Sequence, residues 1–158
     1  MKKFAFSLLF VAIALAGFTS SAFAGTTVSS TGPYNGIFIG TVEGDRNSTT
    51  EIELNLTQVK NEVKGELVLG EGLYIDGGRC WRGSLPSGSF TAIGSTLPAS
   101  PNNVEASASF QAGSVTIKGY LAGEISTDGK LITSEVKIDL PWFCGRDPVL
   151  LVTAEKES

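Results

Sequence analysis

Both tryptophans, both cysteines and three of the four arginines of this 158-residue chain fall in two short segments, GGRCWRGSL at residues 77–85 and PWFCGRDP at 141–148. Residues of these types carry chemistry of three kinds. Thiols cross-link or exchange electrons, arginine forks onto carboxylate or phosphate, and tryptophan anchors contacts between molecules. A redox pair would need Cys-x-x-Cys spacing, whereas Cys80 and Cys144 stand far apart, so one structural disulfide is predicted. Its closure would gather Arg79, Trp81, Arg82, Trp142, Phe143, Arg146 and Asp147 into one neighbourhood. If residues 79–85 form a strand, Cys80 and Arg82 share one face and Arg79 and Trp81 the other, which lets one tryptophan plug a barrel end. Two accounts fit this grouping. In one, Trp81 and Trp142 pack beside the bridge and Arg146 pairs with Asp147 or another acid nearby. In the other, Arg79, Trp81, Arg82, Trp142, Phe143 and Arg146 form an exposed patch that captures a partner.

Little else in the chain could do chemistry. Histidine is absent and the only methionine is Met1, which removes the commonest general base and the usual transition-metal ligands. Neither a metal nor a cofactor is expected. Asp76 with Glu71, and Asp139 with Asp147, are the carboxylate pairs left for acid–base work. Their spacing does not set them apart from solvated loop acids, so no catalytic residue is assigned and an enzyme is not the expectation.

The elements that must position these segments read as strands. Ile52, Leu54 and Leu56 alternate with Glu51, Glu53 and Asn55, and Val63, Gly65, Leu67 and Leu69 alternate with Lys64 and Glu66. The same period of two runs through Val104–Phe110, Val115–Leu121 and Ile132–Leu140. Alternation of this kind describes antiparallel strands with one buried and one wet face. Hairpin tips are expected at Val59–Glu62 and Asp128-Gly129. Less regular strands are expected at Ile37–Glu43, Arg79–Leu85, Ser89–Gly94 and Val149–Ala154, with a loop over Leu97–Asn103. Eight or nine short sequential strands without a helical period predict an all-β, antiparallel up-and-down barrel of about eight strands, with a two-sheet sandwich as the alternative. Gly40, Gly65, Gly119 and Gly123 suit the tight corners of a barrel.

The stretch GPYNGIFIG (32–40) followed by EIELNLTQVKNEVKGELVLG (51–70) resembles the opening hairpins of small secreted calycin-type barrels, the group of avidin-like and lipocalin-like proteins. Tyr34 stands near where the aromatic of the lipocalin opening would be. The resemblance implies architecture and carries no site residues across. On the inward face, Ala106, Ala108, Gly119, Gly123 and Ser134 are small where a filled barrel would carry branched side chains. They either complement large residues opposite or leave a cavity.

The ends bound the compartment. Lys2 and Lys3, an apolar run over Phe4–Gly17 and Ala22-Phe23-Ala24 read as a secretory signal peptide cleaved after Ala24, and the run is too short to span a bilayer. Leu15-Ala16-Gly17 resembles a lipoprotein box, but Phe18 replaces the lipidated cysteine. Residues 25–158 are then one domain, periplasmic or secreted. Setting Lys2 and Lys3 aside leaves 10 of the 12 basic side chains against 16 acidic ones, a net charge of −6. So acidic a chain is unsuited to nucleic acid, and its strands lack the aromatic girdles of a membrane barrel. Asn47 and Asn55 each sit in an acidic-x-Asn-x-Ser/Thr pattern that some bacterial glycosylation systems use. The expectation is a non-enzymatic binding protein: a calycin-like carrier of a small apolar or amphipathic molecule, or else a protein-binding module, an inhibitor or envelope interaction factor, built on the Arg/Trp segments.

Overall fold

The computed structural model describes residues 32–112 and 115–158, and the side chains outside 110–115. The expected signal segment, residues 1–24, lies outside the described residues. Among the described residues ten strands form: β1 (Gly36–Glu43), β2 (Thr49–Val59), β3 (Glu62–Leu69), β4 (Tyr74–Asp76), β5 (Arg82–Ser84), β6 (Gly88–Leu97), β7 (Ser100–Ala112), β8 (Val115–Ile125), β9 (Leu131–Asp139) and β10 (Val149–Lys156). Eight of them close into an antiparallel barrel in the order β1-β2-β3-β6-β7-β8-β9-β10, with β10 pairing back onto β1. β4 and β5 stand apart as a two-stranded hairpin. The fold is therefore the up-and-down barrel and not the sandwich.

The period-two pattern is what closes it. Phe38, Val42, Ile52, Leu54, Val63, Val104, Ile117, Ile132, Ile138 and Val152 all point inward and are buried, each contributing roughly 1.5–3 kcal/mol by leaving water. Their neighbours Glu53, Glu66, Glu105, Lys118, Glu124, Glu135 and Lys137 lie exposed on the outer wall. The interior is apolar, and the wall carries these charges between exposed apolar residues such as Ile39, Ile93 and Leu151. Closure itself depends on Gly40, because a Cβ there would overlap the Thr153 carbonyl and the Ala154 backbone of β10.

Two sequence expectations are corrected. Leu97–Asn103 is not a loop: β6 runs through Leu97, the chain turns at Pro98-Ala99, and β7 begins at Ser100. The register shifts after Thr96, which pairs with Val104 while Leu97 pairs with Ser100. Pro101 thus falls in the irregular stretch, where its missing N–H costs no ladder bond. Likewise, residues 79–85 add no strand to the barrel wall. Gly77-Gly78 turns the chain, with Gly78 at φ +71° and Gly77 N–H donating to the Trp81 carbonyl at 2.7 Å. Arg79 and Cys80 sit on this turn, so the strand alternation predicted for them does not apply.

The two barrel ends are closed differently. At one end Tyr34, 1% exposed, packs beneath the β6–β7 turn and donates its phenol to the Asn102 carbonyl. Its backbone N–H donates to Gln58 Oε1 at 3.1 Å. At the other end the β3–β6 connection, carrying the β4–β5 hairpin, folds across the barrel mouth as a lid. Leu73, Ile75 and Leu85 are its buried underside, and Leu85 N–H donates to the Leu73 carbonyl at 2.7 Å.

Candidate functional site

The two cysteine segments meet at the lid. Cys80 on the β4–β5 turn is bonded to Cys144 in the β9–β10 connection, 64 residues apart in sequence with Cα atoms 5.0 Å apart. Gly78 permits the approach: a side chain there would strike the Cys144 carbonyl. The Arg79 N–H donates to the same carbonyl at 3.0 Å.

A second set of bonds ties the lid to the β1–β2 connection. One Asp45 carboxylate oxygen accepts from the Asp76 N–H at 2.7 Å, and the other accepts from Arg146. Ser48 Oγ accepts from the Tyr74 N–H at 2.8 Å and lies 3.2 Å from the Tyr74 carbonyl, to which it can donate. Arg46 lays its guanidinium over the Tyr74 ring, 4.3 Å from its centre. At the lid's stem, Thr50 donates to the Glu71 carbonyl at 2.7 Å. Asp45, Arg46 and Ser48 carry no pattern linking them to residues 74–76 or to Arg146, so sequence reasoning missed them. Arg46 completes the set: all four arginines lie at the lid end.

The arginines divide into engaged and free. Arg82 donates from Nε to Asp76 at 3.1 Å, and Arg146 pairs with Asp45 rather than with Asp147. Asp147 instead takes Lys137, at 3.1 Å. Arg79 is exposed and makes no ion pair among the described residues. Trp81 is half-buried against the core, while Trp142 is 91% exposed and Phe143 58% exposed. Trp142 therefore does not pack beside the bridge. It stands on a short helical turn, Trp142–Cys144, edge-on to Phe143 with centroids 6.1 Å apart.

Asp76 and Asp147 are each held by neighbouring donors. The Gly78 N–H, and then Arg82, hold Asp76 below the usual carboxylate range. Lys137 and the Leu140 N–H do the same for Asp147. A general acid working near neutrality needs the opposite shift.

Beneath the lid the barrel is not completely filled. An apolar void of about 80 Å³ lies among Val42, Leu69, Leu85, Phe90, Ala108, Gly119 and Leu150. A second, of about 50 Å³, lies toward Tyr34 among Leu54, Val63, Ala106, Leu121, Ile132 and Ser134. Ile52, Leu67 and Val152 line both, so the voids adjoin along the barrel axis. Ala106, Ala108, Gly119 and Ser134 thus border interior space. Gly123 does not border either void; its inward space is occupied by Ser134, whose Cβ would stand 2.6 Å from a Cβ at 123.

A lidded, apolar-cored, eight-stranded antiparallel barrel is the class that fold and site define. The chain matches no family model, no curated protein and no solved structure, so its function is argued from this geometry alone.

Proposed function

We propose that the protein is a periplasmic or secreted carrier that encloses one small apolar molecule inside the barrel. The adjoining apolar voids carry this reading. Close-packed interiors hold few spaces larger than a water molecule, and an apolar pocket is the default place for a ligand. The lid supports it too: bridge, ion pairs and backbone bonds all converge to hold a hydrophobic cover over the mouth. A disulfide at that position suits an oxidising compartment. The test is native mass spectrometry of protein recovered from its own cells, beside the denatured mass of the same sample. A small adduct lost on denaturing, with a covalent mass 2 Da below the reduced chain, is expected for one bridge. A bare chain under both conditions would contradict the carrier.

One observation favours a second reading. A tryptophan exposed as fully as Trp142, backed by Phe143 and near the unpaired Arg79, is the composition of a binding hot spot. On that reading the protein is a module that captures another protein by its lid end. Substituting Arg82 and Arg146 would not isolate this surface, because both arginines hold the lid. Trp142→Ala with Phe143→Ala would, and it should abolish capture of the partner while leaving the barrel's ligand in place.

A further inference from the structure

We propose that Ser134 is the polar anchor of the interior site, and that the molecule held there is compact, uncharged and carries a single oxygen function such as a ketone, ester or alcohol. This rests on the carrier reading and narrows it to a ligand class. Ser134 is 8% exposed, and its hydroxyl is the one buried side-chain polar atom among the described residues that finds no partner. Native interiors rarely leave such a group unmet, because an unpaired buried hydroxyl is costly. The residue sits mid-strand on β9, between Gly123 of β8 and Val152 of β10. It faces the void that Ala106, Leu121 and Ile132 also line. Three buried polar side chains nearby are engaged elsewhere: Tyr34 and Thr50 donate to backbone carbonyls, and Gln58 is bonded to Tyr34 and Lys60.

A buried water is a poor occupant, since water needs two to four polar partners and this lining is otherwise apolar apart from the Tyr34 phenol, which is already committed to Asn102. An organic molecule meets both demands, with its oxygen on Ser134 and its body against the apolar wall. Charge is excluded on the same grounds. No ionised side chain lines either void, and an unpaired charge in such a place is prohibitively costly. Size follows from the voids, which together fall just short of the roughly 150 Å³ of an engineered cavity that holds benzene.

The experiment is a titration of the oxidised protein, followed through the methyl resonances of Ile52, Leu67 and Val152, with cyclopentanone and with cyclopentane. Both probes should shift these methyls. Ser134→Ala should weaken cyclopentanone about three- to tenfold, the worth of one neutral hydrogen bond, and leave cyclopentane unchanged or tighter. Ala106→Leu, which fills the space, should weaken both. If the hydrocarbon binds and Ser134→Ala does not weaken the ketone, the anchor is overturned while the carrier reading stands. If neither probe shifts the methyls, both fall together.

Discussion

At the scale of single residues, polar groups inside the barrel divide into those that hold the structure and one that does not. Tyr34 belongs to the first kind. Burial pushes its phenol up to about 12, with the Glu124 carboxylate adding to the rise and the Ile125 N–H opposing it. A phenol whose folded value exceeds its unfolded one keeps its proton longer in the native state. Its contribution is therefore complete below about pH 10 and is lost as pH climbs toward 12, a fall of roughly 2–3 kcal/mol. Denaturant unfolding across that range should show the loss in the native chain and a much flatter profile in Tyr34→Phe, which itself costs about 1 kcal/mol at neutral pH. Ser134 is the second kind. Removing a hydroxyl that has no partner should leave stability unchanged or raise it by about 1 kcal/mol, so Ser134→Ala should melt no lower than the native chain. The small residues around it could be found in the sequence by their alternation. Its missing partner could not, because Gly123 and Val152 flank it only through strand pairing.

At the scale of elements, the β4–β5 lid is what distinguishes this barrel from a plain meander. Its two strands are three residues each, too short for alternation to reveal, and its glycines and cysteine read equally well as part of a wall strand. The long strands β2, β3, β8 and β9 were legible because each sets three or more apolar residues at alternating positions. The lid's fastenings were not, since Asp45 and Arg146 meet across 101 residues and no local pattern announces such a contact. Prolines misled in a related way: Pro98 and Pro101 suggest a loop, yet one occupies a tight turn and the other an irregular stretch of strand.

The lid fastenings make two further predictions. Closing a loop of 64 residues stabilises the fold by roughly 4 kcal/mol in the chain-entropy model. Cys80→Ala with Cys144→Ala should lower stability by that order, and should also speed exchange of a probe with the interior. Asp45→Ala removes an acceptor from both the Asp76 N–H and Arg146. Hydrogen exchange at Asp76 and Leu85 should quicken about ten- to hundredfold, the equivalent of one lost charged hydrogen bond, while amides of β8 and β9 hold their protection. Equal loosening of wall and lid would mean that the lid is no separate unit. Because Asp76 and Asp147 lie below the usual carboxylate range, their contribution is present above the unfolded carboxylate value and is lost only as pH falls through their lowered folded values. The Asp76–Arg82 and Asp147–Lys137 pairs should hold through mildly acid conditions.

At the scale of the whole molecule, the barrel has a closed wall and a lidded end. The wall is charged and closed on itself, and its seam at Gly40 admits no side chain against Thr153 and Ala154. Gly40→Val should therefore prevent closure and leave protein that neither melts cooperatively nor is protected from proteolysis. The lid end gathers all four arginines, both tryptophans and the bridge. Their clustering in the sequence signalled one neighbourhood correctly. It did not reveal that Arg82 and Arg146 serve the lid while Trp142 is left in solvent, because tryptophan beside a disulfide reads as a core residue until its turn is placed.

A carrier of this kind must keep apolar space beneath its closed lid, and a crystal of the oxidised protein under xenon pressure tests that most directly. Xenon occupies dry apolar cavities and no others of this kind. Ordered xenon between Ile52, Leu67 and Val152 is the predicted result. A barrel without interior xenon, or with a hydrogen-bonded water chain at Ser134, would contradict it.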